Sequence, residues 1–284
     1  MSAGAEASIA GHYRKSDLEE RILTLLSAAG VDISKLKASD LAPVDEFHIG
    51  GAEATGELAK HMKLKPGMKL LDVGSGIGGP ARFFAENFGC AVSGVDLTPE
   101  YVQTAKALSA RVGLQEKTGF QLASAMKLPF DAGSFDGAYV IHVGMNLPDK
   151  AAVFGEVRRV VKGGGRFAIF DLMRTGAGEL NLPVPWASDP AHSFVETPQR
   201  YRELLAAAGF SLEHERDRRE YAIEFFERAR QANAAAAAAA GAGGSPLPGL
   251  HVIMGEDFRQ KTANVLDGLQ RGIIAPFEMV AIAA

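Results

Sequence analysis

The chain has 284 residues, a formal net charge of -4, 47% hydrophobic and 23% charged residues, enough for one large α/β domain, or two small ones, with an enclosed ligand site. A negative balance recruits neither nucleic acid nor an anionic membrane, and Cys90, the only cysteine, excludes an internal disulfide and a Cys-rich zinc site, so no metal is expected. Residues 1–11 lack the basic and apolar regions of a leader, and no apolar run nears the roughly 20 residues of a spanning helix; the expectation is a soluble, cytoplasmic protein with no membrane partner.

Ser16-Asp17-Leu18-Glu19 reads as a capping box, with Ile22, Leu25 and Leu26 following at helical spacing and Gly30 as a stop. A loop over 43–51 leads into a helix ending near Lys63, and Pro66-Gly67 punctuates the chain. Strands are then predicted at 69–73, 91–95, 120–122, 135–141 and 166–170, with helices at 78–88, from Thr98-Pro99, and at 150–161 ended by three glycines. This alternation predicts a parallel sheet covered on both faces. Residues 174–197, with Trp186 and little periodicity, read as a lid or binding loop. A helix from Pro198 to Ala208 and a strand from Gly209-Phe210 follow, then a sign-alternating run from Arg216 to Glu220, read as a solvated strand end. Ala234 to Ala240 and the Gly/Ser/Pro segment after it read as a frayed helix end and flexible linker over 234–248. A helix over 255–272 and a strand over 276–282 complete the sheet.

The chemistry is concentrated where the first strand runs into Gly74-x-Gly76-x-x-Gly79 and a helix. Glycines there let backbone N–H groups approach an anion at a helix N-terminus. Asp96, 22 residues past Gly74, is placed to accept from both hydroxyls of a ribose. Spacing alone fits a nicotinamide dinucleotide as well as S-adenosylmethionine. Asp72 separates them: a carboxylate beside the turn repels a diphosphate but suits a ligand carrying an ammonium and a sulfonium.

At these residues the chain resembles the class I S-adenosylmethionine-dependent methyltransferases, and most the small-molecule branch with the ubiquinone/menaquinone-type and sarcosine/dimethylglycine methyltransferases. The likeness rests on FHIGGAEAT, LLDVGSGIGGPARFFA, VSGVDLTPEYV, AMKLPFDAGSFD, VIHVGMNLPDK, EVRRVVKGGGRFAIFD and PVPWASDPAHSF, between about Phe47 and Phe210. It implies an α/β, Rossmann-like, seven-stranded, mostly parallel sheet with helices on both faces and an N-terminal helical cap. Residues 1–50 would supply that cap and an active-site loop, and 51–284 the methyltransferase domain. It further implies that Asp72, Gly74, Ser75 and Gly76 hold the methionyl part, Asp96 and Leu97 the ribose and adenine, and Ser124, Ala125 and Met126 the adenine edge. Ser124 departs from the family, whose members usually carry an acid there; a hydroxyl accepts more weakly.

The acceptor, a small molecule on this reading, belongs at the carboxyl ends of the strands. His142 borders the cofactor and is a candidate general base, although a satisfied structural histidine is the simpler account. His48 and His192 are candidates from their loop settings, and Asn146 as an orienting group before Pro148. Trp186 with Phe47 offers an aromatic wall for a planar or cationic substrate, and Tyr13 is a candidate to join the loop of Glu46, Phe47 and His48. The alternatives are an NAD(P)-dependent dehydrogenase, a nucleic-acid methyltransferase, for which the chain has neither a basic stripe nor an Asn/Asp-Pro-Pro-aromatic segment after the fourth strand, and a non-catalytic protein that binds S-adenosylmethionine. The pattern accommodates a homodimer without specifying one.

Overall fold

In the computed structural model, which describes residues 17–240 and 257–284, the alternating segments become one seven-stranded sheet. The strands are β1 (Lys69–Val73), β2 (Ala91–Asp96), β3 (Thr118–Leu122), β4 (Phe135–Ile141), β5 (Val161–Arg174), β6 (Phe210–Asp217) and β7 (Ile274–Ala283). Their order is β3-β2-β1-β4-β5-β7-β6. The first five pair in parallel, and β7 enters antiparallel between β5 and β6. This is the predicted mostly parallel sheet.

Both faces are covered, which is why β1 and β4 read as almost unbroken apolar runs. Period-two alternation sorts side chains between two cores. Leu71, Phe167, Ile169 and Met279 face α6 (Lys150–Val160) and α7 (Pro198–Ala207). Leu70, Ala168, Phe170 and Val280 face α3 (Gly51–His61) and α4 (Gly79–Phe88). A third cluster joins α1 (Leu18–Ala28) and α2 (Ala38–Asp45) to α5 (Pro99–Arg111) through Ile22, Leu41, Val44, Tyr101 and Leu108. The fourth packs Trp186, Val184 and Leu172 against α8 (Arg219–Ala240) and α9 (Phe258–Gln270).

Several local expectations are corrected. Ser16 lies outside the described residues, and Asp17 stands at the start of α1 without a side-chain cap, while Gly30 ends the turn at φ +85° as expected. Residues 43–45 are helical, because the Asp40 carboxylate accepts from Lys37 N and Leu41 and Val44 bury one face. Thr98 begins α5, yet its side chain caps nothing. The glycines at 163–165 belong to β5, whose pairing with β4 shifts register there. Ala234–Ala240 continues α8 as helix, as alanine propensity favours, and 241–248 lies outside the described residues. Arg218, within the run expected to be solvated, is buried against Glu278 at 2.8 Å. Among the described residues no helix is long and apolar enough to cross a membrane.

Candidate active site

β1 ends at Val73, and Gly74 and Ser75 donate their N–H groups to Val95 O at 2.8 and 3.0 Å, folding the turn against β2. Gly74 sits at φ +78°, and a Cβ there would lie 2.6 Å from the Val143 methyls. Only glycine meets both demands. A Cβ on Gly79 would strike Asp45 O, so this glycine admits the N-terminal helices close to α4.

Asp96 accepts from Gly76 N and Thr98 N, each at 2.9 Å, one on each carboxylate oxygen. Burial raises its pKa and those amides oppose the rise. Each oxygen keeps a further lone pair for a hydroxyl. Asp72 is 3% exposed and its Oδ2 is a buried acceptor without a partner. Burial pushes its carboxyl up to about 8, the Asp96 charge adding to this while the Tyr139 hydroxyl and Arg82 oppose it. The expected standing carboxylate is therefore, in the ligand-free protein at neutral pH, a protonated group. It ionises when a cation supplies the counter-charge.

These groups open onto one cavity of about 230 Å³. Asp72, Gly74, Ser75, Gly76, Asp96, Leu97, Ala125 and Met126 line one part of it. Phe47, His48, His142 and Asn146 line it further on, with Met145, Leu172, Pro185 and Trp186. Ser124 does not reach the lining; its hydroxyl accepts from Met126 N at 3.1 Å. His192 is exposed on a short 3-10 turn, Pro190–His192, outside the lining. Tyr13 lies outside the described residues. Sequence reasoning missed the far wall, made by Phe225 and Phe226 of α8 and Lys261, Thr262 and Val265 of α9. The aromatic pair was the available signal, but only the fold carries those helices to the carboxyl ends of β4 and β5.

The histidines are held by specific partners. His142 has φ +53°, a left-handed conformation uncommon outside glycine, and its backbone N–H donates to Phe170 O at 2.7 Å. Its Nε2 is buried without a partner, and burial, with His48 adding, holds the imidazole pKa well below its usual value. His48 Nε2 lies 3.0 Å from Gly51 O and 3.2 Å from Thr55 Oγ1, which itself donates to Glu46 Oε2 at 2.8 Å. Nε2 is thus assigned as the protonated nitrogen, leaving Nδ1 as the acceptor. Burial takes His48 down to about 4. Burial, then the Asp45 charge, takes Glu46 up to about 8.

The loop bearing Trp186 is fastened to this wall. Trp186 Nε1 donates to Ser193 Oγ at 2.9 Å, Phe194 N to Met145 O at 2.8 Å, and Lys150 Nζ to Phe194 O at 2.5 Å.

The glycine turn, the two acids and the sheet order define the class I methyltransferase fold. Residues 71–169 match the family described as methyltransferase domain. Sterol 24-C-methyltransferase ERG6B of Gibberella zeae is 33% identical over 168 residues, 56% of this chain and 44% of that protein. The chain spans less than half the length of the curated relatives it matches. Geranyl diphosphate C-methyltransferase from Streptomyces coelicolor A3(2), solved with Mg2+, geranyl-S-thiolodiphosphate and S-adenosyl-L-homocysteine, has a TM-score of 0.72 at 15% identity, covering 100% of this chain and 99% of that one. The cyclase SpnF has a TM-score of 0.65 at 22% identity over 93% of each chain. These structures share the fold.

Proposed function

We propose that this chain transfers a methyl group from S-adenosylmethionine to an apolar small-molecule acceptor. One observation carries the reading: the glycine turn with Asp72 and Asp96 and a wall of Phe47, Ile49, Met145, Trp186, Phe225 and Phe226 open onto the same cavity. The bound cofactor supplies an electrophilic methyl group on a sulfonium. The residues do the rest. The glycine turn leaves room for the methionyl part, Asp72 receives the cationic side, and Asp96 accepts from the ribose hydroxyls. Ala125 and Met126 flank the adenine.

The aromatic and aliphatic wall orients an apolar acceptor and excludes water, which in-line displacement needs more than it needs a protonated leaving group. His48 and His142 border this space as the groups that would take a proton from the acceptor, and the burial that keeps both neutral also makes them weaker bases than a free imidazole. Asn146 borders the same space and orients the acceptor. The sterol methyltransferase relative supports an apolar acceptor. The proposal sets the activity in the cytoplasm, and the free, buried Cys90 suits a reducing compartment.

Calorimetry with S-adenosylmethionine, S-adenosylhomocysteine and NAD tests the cofactor, and radiolabelled methyl transfer to an isoprenoid, sterol and amine panel tests the acceptor. Binding of the first two and transfer to an apolar carbon skeleton is expected. Tight NAD binding without S-adenosylmethionine would overturn the first half, and transfer confined to polar amines the second.

A further inference from the structure

A separate cluster lies away from the cavity lining. His61 ends α3, His214 lies on β6 and Glu278 on the neighbouring β7. Glu278 is 1% exposed, yet its Oε1 has no hydrogen-bond partner, and neither has the buried His214 Nε2. The two atoms nonetheless stand 3.1 Å apart, and His61 Nε2 lies 3.4 Å from the same oxygen. Both rings thus stand within ion-pair range of one buried carboxylate oxygen, without an aligned hydrogen bond to it.

The spacing suits a metal ion. Donors bound tetrahedrally at about 2.0–2.1 Å stand roughly 3.3–3.5 Å from one another. The three donor atoms here all lie within 4.8 Å of each other. The imidazoles stack, with centroids 3.8 Å apart and planes 12° apart, so holding one ion requires the rings to splay until their in-plane lone pairs converge on it. An irregularity in β6 between Leu212 and His214 seats His214 opposite Val280, on the sheet face that Glu278 shares. Arg218 Nη1 holds the other carboxylate oxygen at 2.8 Å and itself lies over the Tyr221 ring at 4.2 Å. That is the outer-shell support a ligating carboxylate needs, and it leaves Oε1 turned to the histidines.

We infer that His61, His214 and Glu278 form a site for a divalent transition-metal ion of the zinc type, clipping the end of α3 to the β6–β7 edge of the sheet. Two imidazoles and a carboxylate leave a fourth position for water, and His61 and His214, with side chains 38% and 24% exposed, give solvent access. Such an ion would tie the edge strand β6 to the end of α3.

The test is calorimetric titration of Zn2+ into the chelator-stripped full chain, with visible absorption of the Co2+ form and melting curves with and without Zn2+. One equivalent should bind, Co2+ should give a tetrahedral spectrum, and Zn2+ should raise Tm. His61→Ala and His214→Gln should each weaken Zn2+ binding at least tenfold and abolish the Tm shift, with circular dichroism unchanged. His61→Ala keeps the test decisive should His214→Gln unfold. No binding to the wild type, or equal binding by a folded His61→Ala variant, overturns the site. Neither result bears on S-adenosylmethionine binding, which is read separately.

Discussion

Arg82 and Asp45 form an ion pair at 2.8 Å with side chains 1% and 3% exposed, joining the helix after the glycine turn to the N-terminal helices. Arg82 also donates to Ile77 O at 2.6 Å and Ser109 Oγ at 3.1 Å. One guanidinium thus holds the cofactor turn, α2 and α5 in a fixed arrangement. Removing one partner leaves a buried charge unmatched, so Asp45→Ala should cost about 3–5 kcal/mol. Urea denaturation reads this as a lower midpoint with unchanged slope. A wild-type midpoint would refute the pairing.

Gly74→Ala places a side chain at φ +78° and drives its Cβ to 2.6 Å from the Val143 methyls. Backbone strain alone is about 1–3 kcal/mol. S-adenosylhomocysteine affinity should fall at least tenfold by calorimetry. Gly119→Ala, where a Cβ meets nothing within 4 Å, should bind like the wild type.

Stability should fall as pH rises from about 6.5 to 8. The carboxyls of Asp72 and Glu46, both raised to about 8 in the fold, are protonated when folded and ionised when unfolded. The unfolded state then binds fewer protons, so the slope of stability against pH is negative. His48, lowered to about 4, acts oppositely, but only below its unfolded value near 6.5. Urea midpoints of ligand-free protein at pH 6.5, 7.2 and 8 check the sign, and Asp72→Asn should flatten the trend.

Binding of S-adenosylmethionine should tighten over the same range, because the cation requires Asp72 ionised and must displace its proton. The expected gain approaches about tenfold per pH unit below 8. Calorimetry in buffers of different ionisation enthalpy would register the released proton. A pH-independent affinity equal to that of Asp72→Asn would remove this carboxyl from the site.

Phe225 and Phe226 are half-buried, with ring centroids 5.7 Å apart, and line the far wall. Phe226→Ala should raise KM for an apolar acceptor while leaving the S-adenosylmethionine Kd within about twofold, since a lost aromatic contact costs roughly 0.5–1.5 kcal/mol beyond its area. Equal losses for donor and acceptor would place the ring elsewhere.

What the sequence determined by itself is local: period-two runs, a Gly-rich turn and acids at strand ends each follow from neighbouring residues. The sheet, the glycine turn and the positions of Asp72 and Asp96 were readable for that reason. Tertiary structure decided what depends on burial and long-range approach. It protonated Asp72 by desolvation, turned Ser124 aside and left His192 in solvent. It also buried Arg218 against Glu278 and carried Phe225 and Phe226 to the cavity. His61, His214 and Glu278 are separated by 153 and 64 positions, so no sequence spacing announces them. Only the approach of the end of α3 to β6 and β7 brings their donor atoms together, because packing, unlike periodicity, has no range along the chain.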